Sequence, residues 1–128
     1  MKKYIVIGNP IEHSLSPKLH NHWIKENNIN AIYEKKLLNE SEIENIISEF
    51  KNGTIDGINV TIPFKKSVMP FLDKLTPLAE EAQSVNTIYK ENTKIVGHNT
   101  DIGGFELALK NINNELKNKI FFILGAGG

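Results

Sequence analysis

Between Ile43 and Ile62 the apolar period of the chain changes from about 3.6 to about 2, and that change restricts the fold more than any other feature. Ile43, Ile46, Ile47 and Phe50 repeat at i, i+3, i+4 and i+7, which predicts a helix with one apolar face. Ser41-Glu42-Ile43-Glu44 reads as its capping box and Gly53 as its close. From Ile58 the pattern alternates, with Ile58, Val60 and Ile62 on one face of a strand and Asn59 and Thr61 on the other. Pro63 has no N–H for a ladder and suits the first turn of a helix, so the strand is expected to end there and a helix to begin over Phe64 to Met69. Lys65 then stands near a helix N-terminus, where a cation opposes the macrodipole unless a partner charge or a ligand holds it.

The same alternation of elements runs upstream. Tyr4 to Ile7 is an apolar run stopped by Gly8-Asn9-Pro10, as expected of a buried strand feeding a tight turn. Ser16-Pro17 reads as a cap followed by proline at the first helical position, and Leu15, Leu19, Trp23 and Ile24 supply an apolar stripe for a helix over Pro17 to Asn27. Ile32 to Leu38 mixes apolar and charged residues, which suits a strand at a sheet edge. The order β-α-β-α-β with short links implies parallel strands, so the expected class is α/β, a mostly parallel mixed sheet flanked by helices.

Downstream, Thr76-Pro77 opens a short helix through Gln83. Asn86 to Lys90 and Lys94 to His98 are strand-like runs joined by Glu91-Asn92-Thr93, a hairpin-length gap that forces one of them to run antiparallel. Asn99-Thr100-Asp101 caps a helix whose Phe105, Leu109 and Ile112 are expected to face inward, and Asn113 to Lys119 is a polar connector. Ile120 to Leu124 is a continuous apolar run, expected to be a strand covered on both faces, and Gly125-Ala126-Gly127-Gly128 follows it.

Composition narrows the function. The 128 residues hold 15 Lys+Arg against 15 Asp+Glu, so no net field attracts nucleic acid or an acidic membrane surface, and function must sit in a local site. Every basic residue is a lysine, so a carboxylate or phosphate must be held by hydroxyls, lysines or backbone N–H groups instead of an arginine fork. The absence of cysteine excludes thiol chemistry and fits the cytoplasm. The apolar run after Met1-Lys2-Lys3 is too short for a signal peptide or a membrane span. His13, His20, His22 and His98 have no metal-ligand spacing with nearby carboxylates, and no metal is expected.

In open α/β sheets ligands collect outside the carboxyl ends of the strands. Ser14 and Ser16 fall just after the first strand, Asn59, Thr61 and Lys65 at the end of the third, and Asp101 after the strand ending at His98. Each has a plainer reading beside the functional one: Ser16 as an N-cap, Thr100 or Asp101 as the cap of the last helix, Asn86 as a turn residue. Ser14 precedes the cap position and has the weakest such excuse. The terminal Gly125 to Gly128 reads as the opening of a glycine-rich nucleotide loop, in which backbone N–H groups take a pyrophosphate.

Taken together, these segments resemble shikimate dehydrogenase. The resemblance rests on Gly8-Asn9-Pro10-Ile11 with His13-Ser14-Leu15-Ser16-Pro17, on Asn59-Val60-Thr61-Ile62-Pro63-Phe64-Lys65, on Val85-Asn86-Thr87, on Asn99-Thr100-Asp101 with Gly104, and on Gly125-Ala126-Gly127-Gly128. It implies a substrate-binding domain over residues 1–113, with 114–128 as connector, first strand and glycine loop of a truncated NADP-binding Rossmann domain. It also implies a family that reduces 3-dehydroshikimate to shikimate with NADPH. By resemblance, Ser14 and Ser16 hold the substrate carboxylate, and Asn59, Thr61 and Asn86 its hydroxyls. Lys65 and Asp101 are catalytic, and Gly125, Ala126, Gly127 and Gly128 bind the cofactor. At Pro77, His98 and Ile102 the chain departs from many family members. The fragment alone is expected to bind shikimate weakly and not to turn it over. Two alternatives stay open: a dehydrogenase that also accepts quinate, and a stand-alone small-molecule binding module. A homodimer through a helix face is compatible with the charged edge strand.

Overall fold

The computed structural model describes residues 1–112 and 117–125. Its elements are β1 (Lys2–Gly8), α1 (Ser16–Glu26), β2 (Ala31–Leu37), a 3-10 turn at Glu40–Glu42, α2 (Ile43–Lys51), β3 (Gly57–Val60), a 3-10 turn at Met69–Phe71, β4 (Lys74–Leu75), α3 (Pro77–Ala82), β5 (Thr87–Glu91), β6 (Lys94–His98) and α4 (Asp101–Ile112). The strands form one six-stranded sheet in the order β2-β1-β3-β5-β6-β4. β1 is parallel to β2 and β3, β5 is antiparallel to β3 and β6, and β4 is parallel to β6. A mixed sheet flanked by helices is therefore the observed architecture, with β2 at one edge.

That topology creates one functional edge. The carboxyl ends of β1, β3 and β6 point the same way, and because β5 runs against them its amino end lies at the same edge. Segments distant in sequence, the loop after Gly8, the stretch after Val60, Asn86 before β5 and Asn99 after His98, are thereby gathered side by side.

The core follows from strand alternation. Ile5, Ile7, Ile58 and Val60 point to one face, where Ile43, Ile46, Ile47 and Phe50 of α2 cover them. On the other face Val6, Ile11 and Tyr33 form a smaller cluster with Tyr4 and Ile24 against it. Ile58 and Val60 are buried as their alternation predicts, but Ile62 is exposed because the strand has ended and the chain has turned.

Several local expectations are corrected. The capping box that starts the second helical segment is Asn39 with Glu42, not Ser41 with Glu44: Asn39 N–H donates to Glu42 Oε2 at 2.8 Å, and a 3-10 turn places Ser41 inside the element. No helix begins at Pro63. Residues 61–68 run through successive turns after a cis Ile62–Pro63 bond, so the helix dipole at Lys65 falls away as an argument. Ser16 is not a cap but the first residue of α1, and its N–H instead approaches the Ser14 hydroxyl oxygen at 3.4 Å.

The predicted stripe of α1 is rotated. Leu15, Leu19 and Trp23 are exposed, whereas His20, Asn21 and Ile24 face the sheet. Polar contacts decide this docking: Asn21 Nδ2 donates to Tyr33 O at 2.7 Å, and Tyr33 N–H donates to Asn21 Oδ1 at 2.9 Å. In α4, Phe105 and Ile112 are exposed and Leu109 only half-buried, contrary to the inward stripe predicted for them. Ile120 to Leu124 form no strand, since they have no neighbouring strand among the described residues, and their side chains are largely exposed. No described helix is long and apolar enough to cross a membrane.

Candidate active site

The loop after β1 lies close beneath the end of β3. A Cβ built on Gly8 would stand 2.6 Å from Thr61 Cγ2, so only glycine lets the two segments approach. Thr61 N–H continues the ladder to Ile7 O at 2.9 Å. Ser14, Ser16 and Thr61 consequently line one cleft of about 310 Å³ with Val6, Ile11 and His13 among its walls. A larger hollow of about 430 Å³ lies at Lys3, Glu34, Lys36 and Glu49. There the charges already pair, Lys3 with Glu34 at 2.8 Å and Lys36 with Glu49 at 3.3 Å, leaving little for a ligand to satisfy.

Beside the cleft is a continuous network. Lys65 Nζ donates to Asp101 Oδ2 at 2.7 Å, the lysine side chain being 20% exposed and the aspartate 52%. Asn86 Nδ2 donates to Asp101 Oδ1 at 3.0 Å and to Thr100 Oγ1 at 2.7 Å, while its Oδ1 accepts from Thr100 N–H and the Thr87 hydroxyl, both at 3.0 Å. Asn59 Nδ2 donates to Asn86 O at 3.2 Å and Thr87 Oγ1 at 3.3 Å. The amides of Asn59 and Asn86 are thus oriented by internal bonds before any ligand arrives.

Tyr33 joins the two halves, and sequence reasoning passed over it. Its hydroxyl donates to Asn59 Oδ1 at 2.7 Å. Its ring stacks on His20 with centroids 4.2 Å apart. Burial pushes the Tyr33 phenol up to about 12, with a hydrogen bond from Ser16 pulling the other way, and burial lowers His20. The only sequence signal was an aromatic at an inward position of a strand read as an edge.

A raised folded pKa means the folded state holds the proton more tightly, so Tyr33 contributes stability present below its ordinary value of 10.0 and lost as pH rises through about 12. The phenolate difference spectrum between the native chain and Tyr33→Phe should accordingly develop near pH 12. A signal centred near pH 10 would show that the hydroxyl is open to solvent.

The plainer readings of two positions resolve differently. Asn99, not Thr100 or Asp101, caps α4, its Oδ1 accepting from the N–H groups of Asp101 at 2.9 Å and Ile102 at 3.2 Å. Asp101 is therefore free of capping duty and turns its carboxylate to Lys65. Thr76 does cap α3, accepting from Ala79 N–H, and also contacts His98 Nδ1 at 2.8 Å.

For a dinucleotide the described residues supply only Gly125 of the predicted loop. Its φ of +112 is a backbone conformation that favours glycine. Ala126, Gly127 and Gly128 lie outside the described residues, and the described part alone does not make the anion site of a helix N-terminus.

An α/β sheet whose carboxyl edge gathers hydroxyls, amides and a lysine–aspartate pair defines a small-molecule-binding domain of the open-sheet kind. The family model for the shikimate dehydrogenase substrate binding domain matches residues 6–88. The shikimate dehydrogenase (NADP(+)) of Pelagibacter ubique (strain HTCC1062) is 59% identical over 127 residues, covering 99% of this chain and 48% of that protein. The crystal structure of shikimate dehydrogenase from Aquifex aeolicus superposes with a TM-score of 0.87 at 41% identity, covering 93% of this chain and 45% of that one. Shikimate 5-dehydrogenase from Listeria monocytogenes, solved in complex with shikimate and NAD, gives a TM-score of 0.84 at 31% identity over 91% of this chain and 40% of that one. The chain belongs to the shikimate dehydrogenase substrate-binding domain family, and it spans about half the length of the relatives it matches.

Proposed function

We propose that the chain is the substrate half of an NADP-dependent shikimate dehydrogenase, which reversibly reduces 3-dehydroshikimate to shikimate on the route to chorismate and the aromatic amino acids. The observation that carries this reading is the 2.7 Å contact between Lys65 Nζ and Asp101 Oδ2 at the carboxyl edge of the sheet, near a largely apolar cleft to which Ser14, Ser16 and Thr61 contribute. In this reading residues 1–113 are the substrate domain, and 114–128 lead into a nucleotide domain. The enzyme works in the cytoplasm, in keeping with a chain that holds no cysteine.

The chemistry of the cleft supports the assignment. Ser14 and Ser16 offer hydroxyls to the substrate carboxylate, one of the grips open to a chain without arginine. Asn59 and Asn86, whose amides are already oriented by internal bonds, and the Thr61 hydroxyl meet the ring hydroxyls. Hydride delivery belongs to the cofactor, and the residues of this chain account for the proton. As the ketone oxygen becomes an alkoxide, the Lys65 ammonium stabilises the growing charge and then gives up a proton, breaking its N–H bond as the O–H bond forms. Asp101 holds the ammonium in place.

The test is NADP reduction by the complete enzyme that carries this chain, with shikimate and with quinate at saturation. Rapid turnover of shikimate with little on quinate is expected. Quinate turnover at a similar rate would widen the substrate class, and no turnover of either would overturn the reading.

A further inference from the structure

Among the described residues the buried polar side chains are those of Ser84 and Asn99, and both belong to one junction. Asn99 Nδ2 donates to Ser84 O at 2.9 Å, while its Oδ1 takes the N–H groups of Asp101 and Ile102. One residue after Ser84, Val85 N–H donates to Lys65 O at 2.8 Å. The segment from Ser84 to Asn86 therefore holds the Lys65 backbone directly and the Asp101 backbone through the Asn99 side chain.

We propose that Asn99 is a positioning residue for the Lys65–Asp101 pair, fixing through these hydrogen bonds where the Asp101 carboxylate stands relative to the Lys65 ammonium. The inference rests on the dehydrogenase reading. Its force comes from the hydrogen bonds that the described residues place at the start of α4, a helix none of whose side chains is buried among them. Two side chains hold that start: Asn86 bonds the Thr100 N–H and the Asp101 carboxylate, and Asn99, 2% exposed, is locked to Ser84 O at one end of its amide and to the first turn of α4 at the other. Asp101 is the first residue of that turn, and a displaced turn carries its carboxylate away from Lys65. A shorter polar side chain keeps the cap and loses the lock to Ser84.

The test is a double-mutant cycle in the complete enzyme, with kcat and KM measured for Asn99→Ala, Asp101→Asn and the double variant, and with Asn99→Ser as the conservative replacement. Misplacing a reacting group by about 1 Å costs on the order of 10²-fold, so Asn99→Ala should lower kcat about tenfold to 10²-fold while KM moves less than about threefold. Asn99→Ser, whose hydroxyl still caps the helix, should recover most of the loss and retain a deficit of about threefold. In the Asp101→Asn background the Asn99→Ala change should cost less than about twofold, because residues that act as one unit are not additive.

The same factor in both backgrounds, or wild-type kcat in a folded Asn99→Ala enzyme, overturns the proposal. If Asn99→Ala gives no cooperative melt, Asn99→Ser goes through the same cycle, and a deficit that is absent, or that persists beside Asp101→Asn, overturns it equally. Wild-type kcat in Asp101→Asn alone removes Asp101 from the chemistry and overturns this proposal, whereas the dehydrogenase reading falls only if the unsubstituted enzyme turns over neither shikimate nor quinate.

Discussion

Replacing Lys65 by alanine in the complete enzyme should lower kcat by about 10² to 10⁴-fold, the range a positioned proton donor supplies. The fall should appear in kcat more than in KM, because the ammonium interacts most strongly with the alkoxide that exists only as the ketone is reduced. The fold should survive. Lys65 is held to the sheet by its backbone, through Val85 N–H to Lys65 O at 2.8 Å, and that bond does not depend on the side chain. Loss of the ammonium leaves Asp101 52% exposed and still bonded to Asn86, so no charge is stranded in the interior. Near-normal turnover in Lys65→Ala would remove the lysine from the chemistry.

The largest expected loss of stability is at Phe50. It is fully buried on α2 and, with Ile43, Ile46 and Ile47, closes the sheet face made by Ile5, Ile7, Ile58 and Val60. The Lys90 ammonium lies 5.2 Å from its ring centroid on the outer side, and Lys90 Nζ also donates to Lys51 O, so no apolar side chain stands ready to refill the space from there. Truncating a buried phenylalanine to alanine costs about 3 to 5 kcal/mol, a large share of the 5 to 15 kcal/mol typical of a whole domain. Urea unfolding of the Phe50→Ala chain should show a midpoint lowered accordingly with little change in slope. A loss below about 1 kcal/mol would mean that α2 is not the principal cover of this face.

Where periodicity and burial agreed, the sequence was readable. The stripe of α2 and the alternation of β3 up to Val60 needed only a hydrophobic face and a matching sheet. The cap at Thr76 was legible because Thr-Pro at a helix start has one economical geometry. Lys65 and Asp101 were both placed after strands whose carboxyl ends share an edge, but their pairing was expected from the family resemblance alone. β4 was missed because Lys74–Leu75 is too short to show a period.

The failures have physical causes as well. α1 turned its predicted stripe outward because hydrogen bonds from Asn21 to the Tyr33 backbone, and the stacking of His20 on Tyr33, set its rotation. Those contacts join segments that no local window spans. Pro63 met the first-turn rule for a helix start, but Ile62 before it is a poor cap, and the chain continued as turns with Lys65 O bonded to Val85 N–H and Phe64 and Val68 drawn into the core. The apolar residues of α4 and of 120–124 were read correctly as apolar, but no described element covers them.

Of the candidate site, the residues that touch the cleft were found by their type and place. Tyr33, whose hydroxyl bonds Asn59, was not, and Asn99 was read as part of a cap without its bond to Ser84 O, because these partners lie far along the chain.

The central claim is that Lys65 delivers the proton to the oxygen of a substrate held by Ser14, Ser16 and their neighbours. It is tested most directly by a crystal structure of the complete enzyme with shikimate bound, read at the carbon that is oxidised. The account predicts the hydroxyl oxygen on that carbon within about 2.6 to 3.2 Å of Lys65 Nζ, or joined to it by one water, with the carboxylate against Ser14 and Ser16. Shikimate bound with that hydroxyl turned away from Lys65, beyond the reach of a single water, would contradict it.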